Sequence, residues 1–179
     1  MISAFDAADA LLIAHGAASI EHPGGTLLDH VRRVQRVLAE WNADVDVRLA
    51  GLCHAFYGTD GFSTALLNID QRSVLERVIG RNAESLVYLY GSCDRDYVYP
   101  RLHEKRVEFR DRFTKMLQTP DDTSLKAFAE ITAANELDVV RHNAAIAAQL
   151  GQALMKLFAG SRTHLSVAAS QAWANEPSA

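Results

Sequence analysis

Three histidines fall in the first third of the chain, His22, His30 and His54, and their surroundings suggest chemistry. His30 lies one turn into a segment in which Leu27, Val31, Val34 and Leu38 recur at helical spacing, beside that apolar stripe rather than opposite it. His54 lies one turn beyond Ala50 and two beyond Val47, on the inward side of a second apolar helix. Two adjacent helices can thus turn imidazoles toward each other, and neutral imidazole is the commonest side-chain metal ligand. The same residues also read as core histidines satisfied by hydrogen bonds. Residue type alone leaves both readings open.

Other polar residues nearby add to the first reading. Tyr57, where the second helix breaks, offers a phenol as an acid or hydrogen-bond donor, or else an aromatic plug. Arg33 stands one turn from His30, within reach of an anion, while Arg32 and Arg36 fit a solvated face. His103 belongs to the mixed-charge run "RLHEKRVEFRDR", the pattern of an exposed helix with weak ion pairs. His142 and His164 show no partner pattern, and His15 can complement the end of the first helix.

The elements that must position these groups are helices. Ser3-x-x-Asp6 caps a short helix to about Gly16, and "IEHPGG" is a turn. Thr26-Leu-Leu-Asp29 is a capping box for the helix carrying His30, and a third helix runs from about Val45 to Phe56, stopped by Gly58. Ser73-x-x-Glu76 opens another, interrupted at Gly80-Arg81-Asn82 and resumed to about Tyr90. A long helix is expected after Pro100, with Leu102, Phe109, Phe113 and Met116 on one side. Ser124 to Phe158 is one helix or two joined by a kink. The last twenty residues have weak periodicity, and their end, "NEPSA", is expected to fray. The reading is an all-α single domain over residues 1–160 with a C-terminal tail, 161–179.

Bulk properties narrow the function. With 49% hydrophobic residues over 179, a folded globule with its own core is expected. A net charge of -4 argues against a nucleic-acid binder, which needs a basic field. Two cysteines make no disulfide framework, and Cys53 inside an apolar run fits a reducing compartment. The first segment has no basic flank and carries Asp6 and Asp9, so it is a poor secretory signal. No apolar run reaches about 18 residues, so no membrane span is expected, and the expected location is the cytoplasm.

The order of these elements resembles a known superfamily. "DHVRRVQRVLAEW", "VRLAGLCHAFYGTDG" and "VLERVIGRNAESLVYLYGS" are similar to the HD superfamily of helical metal-dependent phosphohydrolases, above all to the hydrolase domain of the stringent-response alarmone enzymes. The resemblance spans about residues 25–140 and implies an HD-like helical bundle. It matches His30 to the first histidine ligand, His54 to the histidine of the His-Asp pair and Thr59 to the loop threonine. It also matches "EITAANELD" to the segment of the last ligand, which places Asn135 at that aspartate.

The departures are specific. The aspartate of the pair is Ala55, the last aspartate is Asn135, and the catalytic acidic pair is Tyr57-Gly58. Carboxylates there would hold the cation and orient its water, so the alarmone-hydrolase mechanism does not transfer. The wording "EHPGGTLLDH…AGLCHAFYGT" also resembles a bacterial HD-like family in which a His-x-x-Tyr-Gly-Thr loop replaces His-Asp. In that setting His22, eight residues before His30, completes a three-histidine site with open positions, suited to a divalent metal such as Fe, Mn or Zn. Glu130, Glu136 and Asp138 lie near Asn135 in sequence and are candidates for a carboxylate ligand or its support, with Glu130 and Asp138 expected on one helix face.

The resemblance implies a metal-dependent hydrolase acting on a small anionic, phosphoester- or nucleotide-like substrate. Tyr57, Thr59 and Arg33 are then the catalytic candidates, and Arg81 and Asn135 the substrate contacts. A mononuclear non-heme iron oxygenase and a non-catalytic ligand-binding or interaction domain are the alternatives on the same scaffold. The expected partner is a small molecule, with no nucleic acid, no membrane, and homo-oligomerisation left open.

Overall fold

The computed structural model describes residues 2–177. Among them the chain forms nine α-helices and two short antiparallel hairpins, so the fold is all-α as expected. α1 (Ala4–Ala14) starts at Ser3, whose hydroxyl accepts the Asp6 N–H. The hairpin of β1 (Glu21–His22) and β2 (Gly25–Thr26) pairs His22 with Gly25 and leads directly into α2 (Leu27–Glu40). The capping box forms as read: Thr26 Oγ1 accepts the Asp29 N–H, and the Asp29 carboxylate accepts the Thr26 N–H.

α2 packs most extensively against α3 (Val45–Cys53) and against α7 (Asp122–His142). The α2–α3 approach is close because Gly51 has no side chain: a Cβ there would stand 2.2 Å from Leu38 Cδ1. α4 (Arg72–Ile79) and α5 (Arg81–Gly91) meet at Gly80, whose φ of 85° a β-carbon would resist. α5 in turn packs on α3 and α7. Leu38, Phe56, Leu75, Val87, Phe109 and Phe128 are among the buried residues of the core these helices share.

Two stretches differ from the sequence reading. The long helix expected after Pro100 does not form. After the short α6 (Arg95–Val98), a 3-10 turn at Tyr99–Arg101 and a loop lead to a hairpin of β3 (Phe109–Arg110) and β4 (Leu117–Gln118). Phe109 and Phe113 carry helical spacing, yet Asp111 Oδ1 accepts the N–H groups of Phe113 and Thr114, and Lys115 turns the chain with φ of 63°. Phe109 packs edge-on against Phe128. The run "RLHEKRVEFRDR" is therefore loop and strand, with His103 exposed as expected.

The second difference is at the C-terminus. Asn143 breaks the long helical run, its side chain capping α8 (Ala144–Gly160) through the Ile146 N–H. Residues 161–179 were expected to be a tail, but α9 (Val167–Ala174) packs on α7 and α8. Trp173 is buried against Phe158 and donates its indole N–H to the Ala133 carbonyl at 3.1 Å. Of the "NEPSA" end, Glu176 pairs with Arg141 at 2.9 Å, and Ser178 and Ala179 lie outside the described residues. No described helix is long and apolar enough to cross a membrane.

Candidate functional site

The capping box sets the start of α2, so that one turn later His30 points inward toward α3 and α7. His54, at the C-terminal end of α3, meets it: the two Nε2 atoms are 3.3 Å apart, with the rings nearly perpendicular. Asn135, from the middle of α7, brings Oδ1 to 3.1 Å from His30 Nε2. All three side chains are buried. Three helices, separated widely in sequence, thus converge three donor atoms on one point.

The hydrogen bonds behind these atoms say where the protons are. His30 Nδ1 faces Asp138 Oδ2 at 2.6 Å, and His54 Nδ1 faces the Gly51 carbonyl at 2.8 Å. A carboxylate and a carbonyl only accept, so each Nδ1 carries hydrogen, and in the neutral ring each Nε2 is then a bare lone pair. Asn135 is fixed by its amide N–H donating to Glu136 Oε1 at 3.2 Å, which leaves Oδ1 facing His30. Three lone pairs therefore meet without a hydrogen between them. That arrangement is relieved by an extra proton on His30 or by a cation, and the backing of each imidazole by a carboxylate or carbonyl is how proteins orient metal-bound histidine.

Burial, then the neighbouring His30, pushes the His54 ring down to about 3, so His54 is neutral at ordinary pH. His22 stacks on His30 with ring centroids 3.9 Å apart and is likewise lowered, to about 4, chiefly by burial. Its Nδ1 is buried and has no hydrogen-bond partner. Asp138 is pulled upward by burial, but the hydrogen bonds from His30 and Arg33 outweigh this and hold its carboxyl at about 2. Among the described residues no group of three or more His, Cys, Asp or Glu is placed to hold a metal; here the third donor is an amide.

The residues expected around the histidines divide into two sets. Arg33 is present, but its guanidinium is committed to Asp138 (2.7 and 3.0 Å) and to the carbonyls of Pro23 and Gly24. It ties the His22 hairpin to α7 rather than offering itself to an anion. Tyr57 donates its hydroxyl to Glu84 at 2.7 Å, where Arg72 also pairs, and burial raises its phenol well above the usual range. Thr59 is buried in the loop, its backbone bridging to Phe62. Arg81 is turned to solvent beside Glu76, with 83% of its side chain exposed, so it does not face the histidines.

Other residues at the site escaped the sequence reading. Tyr90 lays its ring edge-on to His54 and accepts from Arg95, which also pairs with Glu136 at 3.0 Å and packs over Tyr99. Arg95 and Glu136 border a cleft of about 730 Å³ between α6 and α8. No local signal marks Arg95, because its ion-pair partner Glu136 comes from the distant α7. His142, one turn after Asp138, faces the Asp138 carbonyl at 2.8 Å and packs where a Gly24 side chain would stand, which explains a glycine at 24. Glu130 and Asp138, expected on one face, diverge. Eight residues leave them about 80° apart around the helix, and Glu130 turns to the Ser166 N–H instead.

The sequence is similar to a family described as a domain of unknown function (DUF6817) over residues 11–95, just under half of the chain. That stretch contains His22, His30, His54 and Arg95, whereas Asn135 and Asp138 lie beyond it. No curated protein and no solved structure matches the chain.

Proposed function

We propose that the protein is a metal-dependent hydrolase on an HD-like scaffold, acting on a small anionic molecule of the phosphoester or nucleotide kind. The observation that carries the reading is the meeting of His30 Nε2, His54 Nε2 and Asn135 Oδ1, each turned inward by a partner on its other side. Two imidazoles and an amide oxygen fit a borderline divalent cation such as Zn, Fe or Mn, and the unpartnered Nδ1 of His22 lies beside them. A divalent metal held there supplies a polarised water or a Lewis acid for the phosphoryl oxygen.

The chain's own residues divide the remaining work. Asp138 keeps hydrogen on His30 Nδ1 and supplies the negative charge that the donors lack. Arg33 anchors that carboxylate, so anion recognition passes to Arg95, beside Tyr90 and at the edge of the neighbouring cleft. Tyr57, held by Glu84, positions the loop after His54.

A second reading, a non-catalytic ligand-binding domain, draws support from one observation: Ala55 and Asn135 leave the converging donors without a carboxylate. Metal analysis of protein purified without chelator tests the first. About one equivalent of a transition metal, lost in His54→Ala, and phosphate release from a nucleotide panel are expected. Less than about a tenth of an equivalent, unchanged in His54→Ala, overturns the metal site. Bound metal without turnover favours the ligand-binding reading. Oxygen consumption by the ferrous protein without phosphate release favours a mononuclear iron oxygenase.

A further inference from the structure

A second cleft, of about 810 Å³, opens on the other side of α7 and shares no lining residue with the histidine cluster. Its wall runs from the end of α2 into α3, across the start of α5, and along α7 to the turn before α9. Four carboxylates line it, Asp44, Asp46, Asp121 and Glu130, against one lysine, Lys126, and one histidine, His164, whose Nε2 faces the Glu104 carbonyl. Between them stand Trp41, Val47, Leu86 and Leu165. The lining is thus acidic and partly apolar.

Glu130 distinguishes this cleft from an ordinary acidic surface. It is 8% exposed, and one carboxylate oxygen accepts the Ser166 N–H while Oε2 has no partner. No described Lys, Arg or His pairs with it. A buried carboxylate without a counter-charge is costly, and proteins ordinarily satisfy both oxygens. Burial accordingly holds the Glu130 carboxyl above its usual range. Glu130 lines the cleft, and Oε2, the oxygen that Ser166 does not hold, is the one left for a donor entering there.

We propose that this cleft binds a small organic cation, a primary alkylamine or diamine, with the ammonium on Glu130 and the carbon chain along Trp41. An ammonium supplies the donors that Oε2 lacks and the counter-charge that the buried carboxylate lacks. The indole face favours a cation with attached hydrocarbon, and Val47, Leu86 and Leu165 have no use for a bare metal ion. Asp44 and Asp46, nearer the mouth, attract the same charge sign and suit the far amine of a diamine. The site is independent of any metal at the histidines.

Isothermal titration of the full chain with 1,4-diaminobutane at about 0.15 M salt is the direct test, with 1,4-butanediol as the uncharged control. Saturable binding of the diamine, none of the diol, and at least a tenfold weaker complex in Glu130→Gln are expected. In parallel, the carboxyl carbon of Glu130 followed by NMR should titrate at lower pH when the diamine is present. Equal binding by Glu130→Gln, equal binding of the diol, or no saturation up to about 10 mM overturns the proposal. An unchanged Glu130 titration in the presence of bound diamine overturns the assignment of the ammonium to that residue.

Discussion

His30 presents Nδ1 to Asp138 at 2.6 Å, and this one contact decides that in the neutral ring its other nitrogen reaches His54 without a hydrogen. Replacing Asp138 by Asn removes the obligate acceptor and lets the ring take the other tautomer. Divalent-metal affinity should fall roughly 10–100-fold. Loss of the charge facing Arg33 should also destabilise the fold by about 3–5 kcal/mol. Metal titration and urea unfolding of the same variant read the two effects. A variant with unchanged affinity would show that the carboxylate has no part in orienting the donor.

Asn135 occupies the point where an anionic donor would be strongest. Asn135→Asp should tighten metal binding about tenfold or more, because ligand charge count raises affinity for a hard or borderline cation. Competition with a metallochromic chelator measures it. Weaker binding by the aspartate variant would mean that the amide oxygen is not a donor.

Glu130 gives a pH signature opposite to that of most carboxylates. Its folded-state carboxyl is raised by burial, so the native state favours the protonated form more than the unfolded chain does. The associated stability is fully present below the ordinary glutamate range and is lost as pH rises through the raised value. Relative to Glu130→Gln, the wild type should therefore lose thermal stability as pH rises above the ordinary glutamate value of about 4.3. Parallel melting curves across that rise, with a constant offset, would contradict this.

Trp173 tests whether the last helix belongs to the domain. It is 3% exposed, packed at a tilt on Phe158 with 4.5 Å between ring centroids, and hydrogen-bonded to α7. Trp173→Ala should cost about 3–5 kcal/mol in denaturant unfolding. A loss under about 0.5 kcal/mol would return residues 161–177 to the status of a dispensable tail.

What the sequence made legible was local. Ser3 and the Thr26–Asp29 box follow from residues within a turn of each other, and each forms as read, whereas the helix expected to run to Phe56 and stop at Gly58 already ends at Cys53. The pairing of His30 with His54 followed from two adjacent amphipathic helices. Asn135 emerged only through a family resemblance, because its contact with His30 spans 105 residues. Arg95 escaped for the same reason, its ion-pair partner Glu136 being supplied by the distant α7. The segment around Phe109 misled because its aromatic spacing imitates a helix, while the Asp111 side chain captures the backbone N–H groups that a helix needs. Arg81 misled because an arginine at a helix start says nothing about which way the start faces.

The separation of the three donors also sets an order in time. His30 and His54 lie 24 residues apart and can meet as soon as α2 and α3 dock, whereas Asn135 must close a loop of 105. Contacts of that span form late in folding, after the entropy of loop closure has been met. In a chain made from its N-terminus the histidine pair can therefore assemble before α7 has been made, and the amide is the last of the three groups to become available.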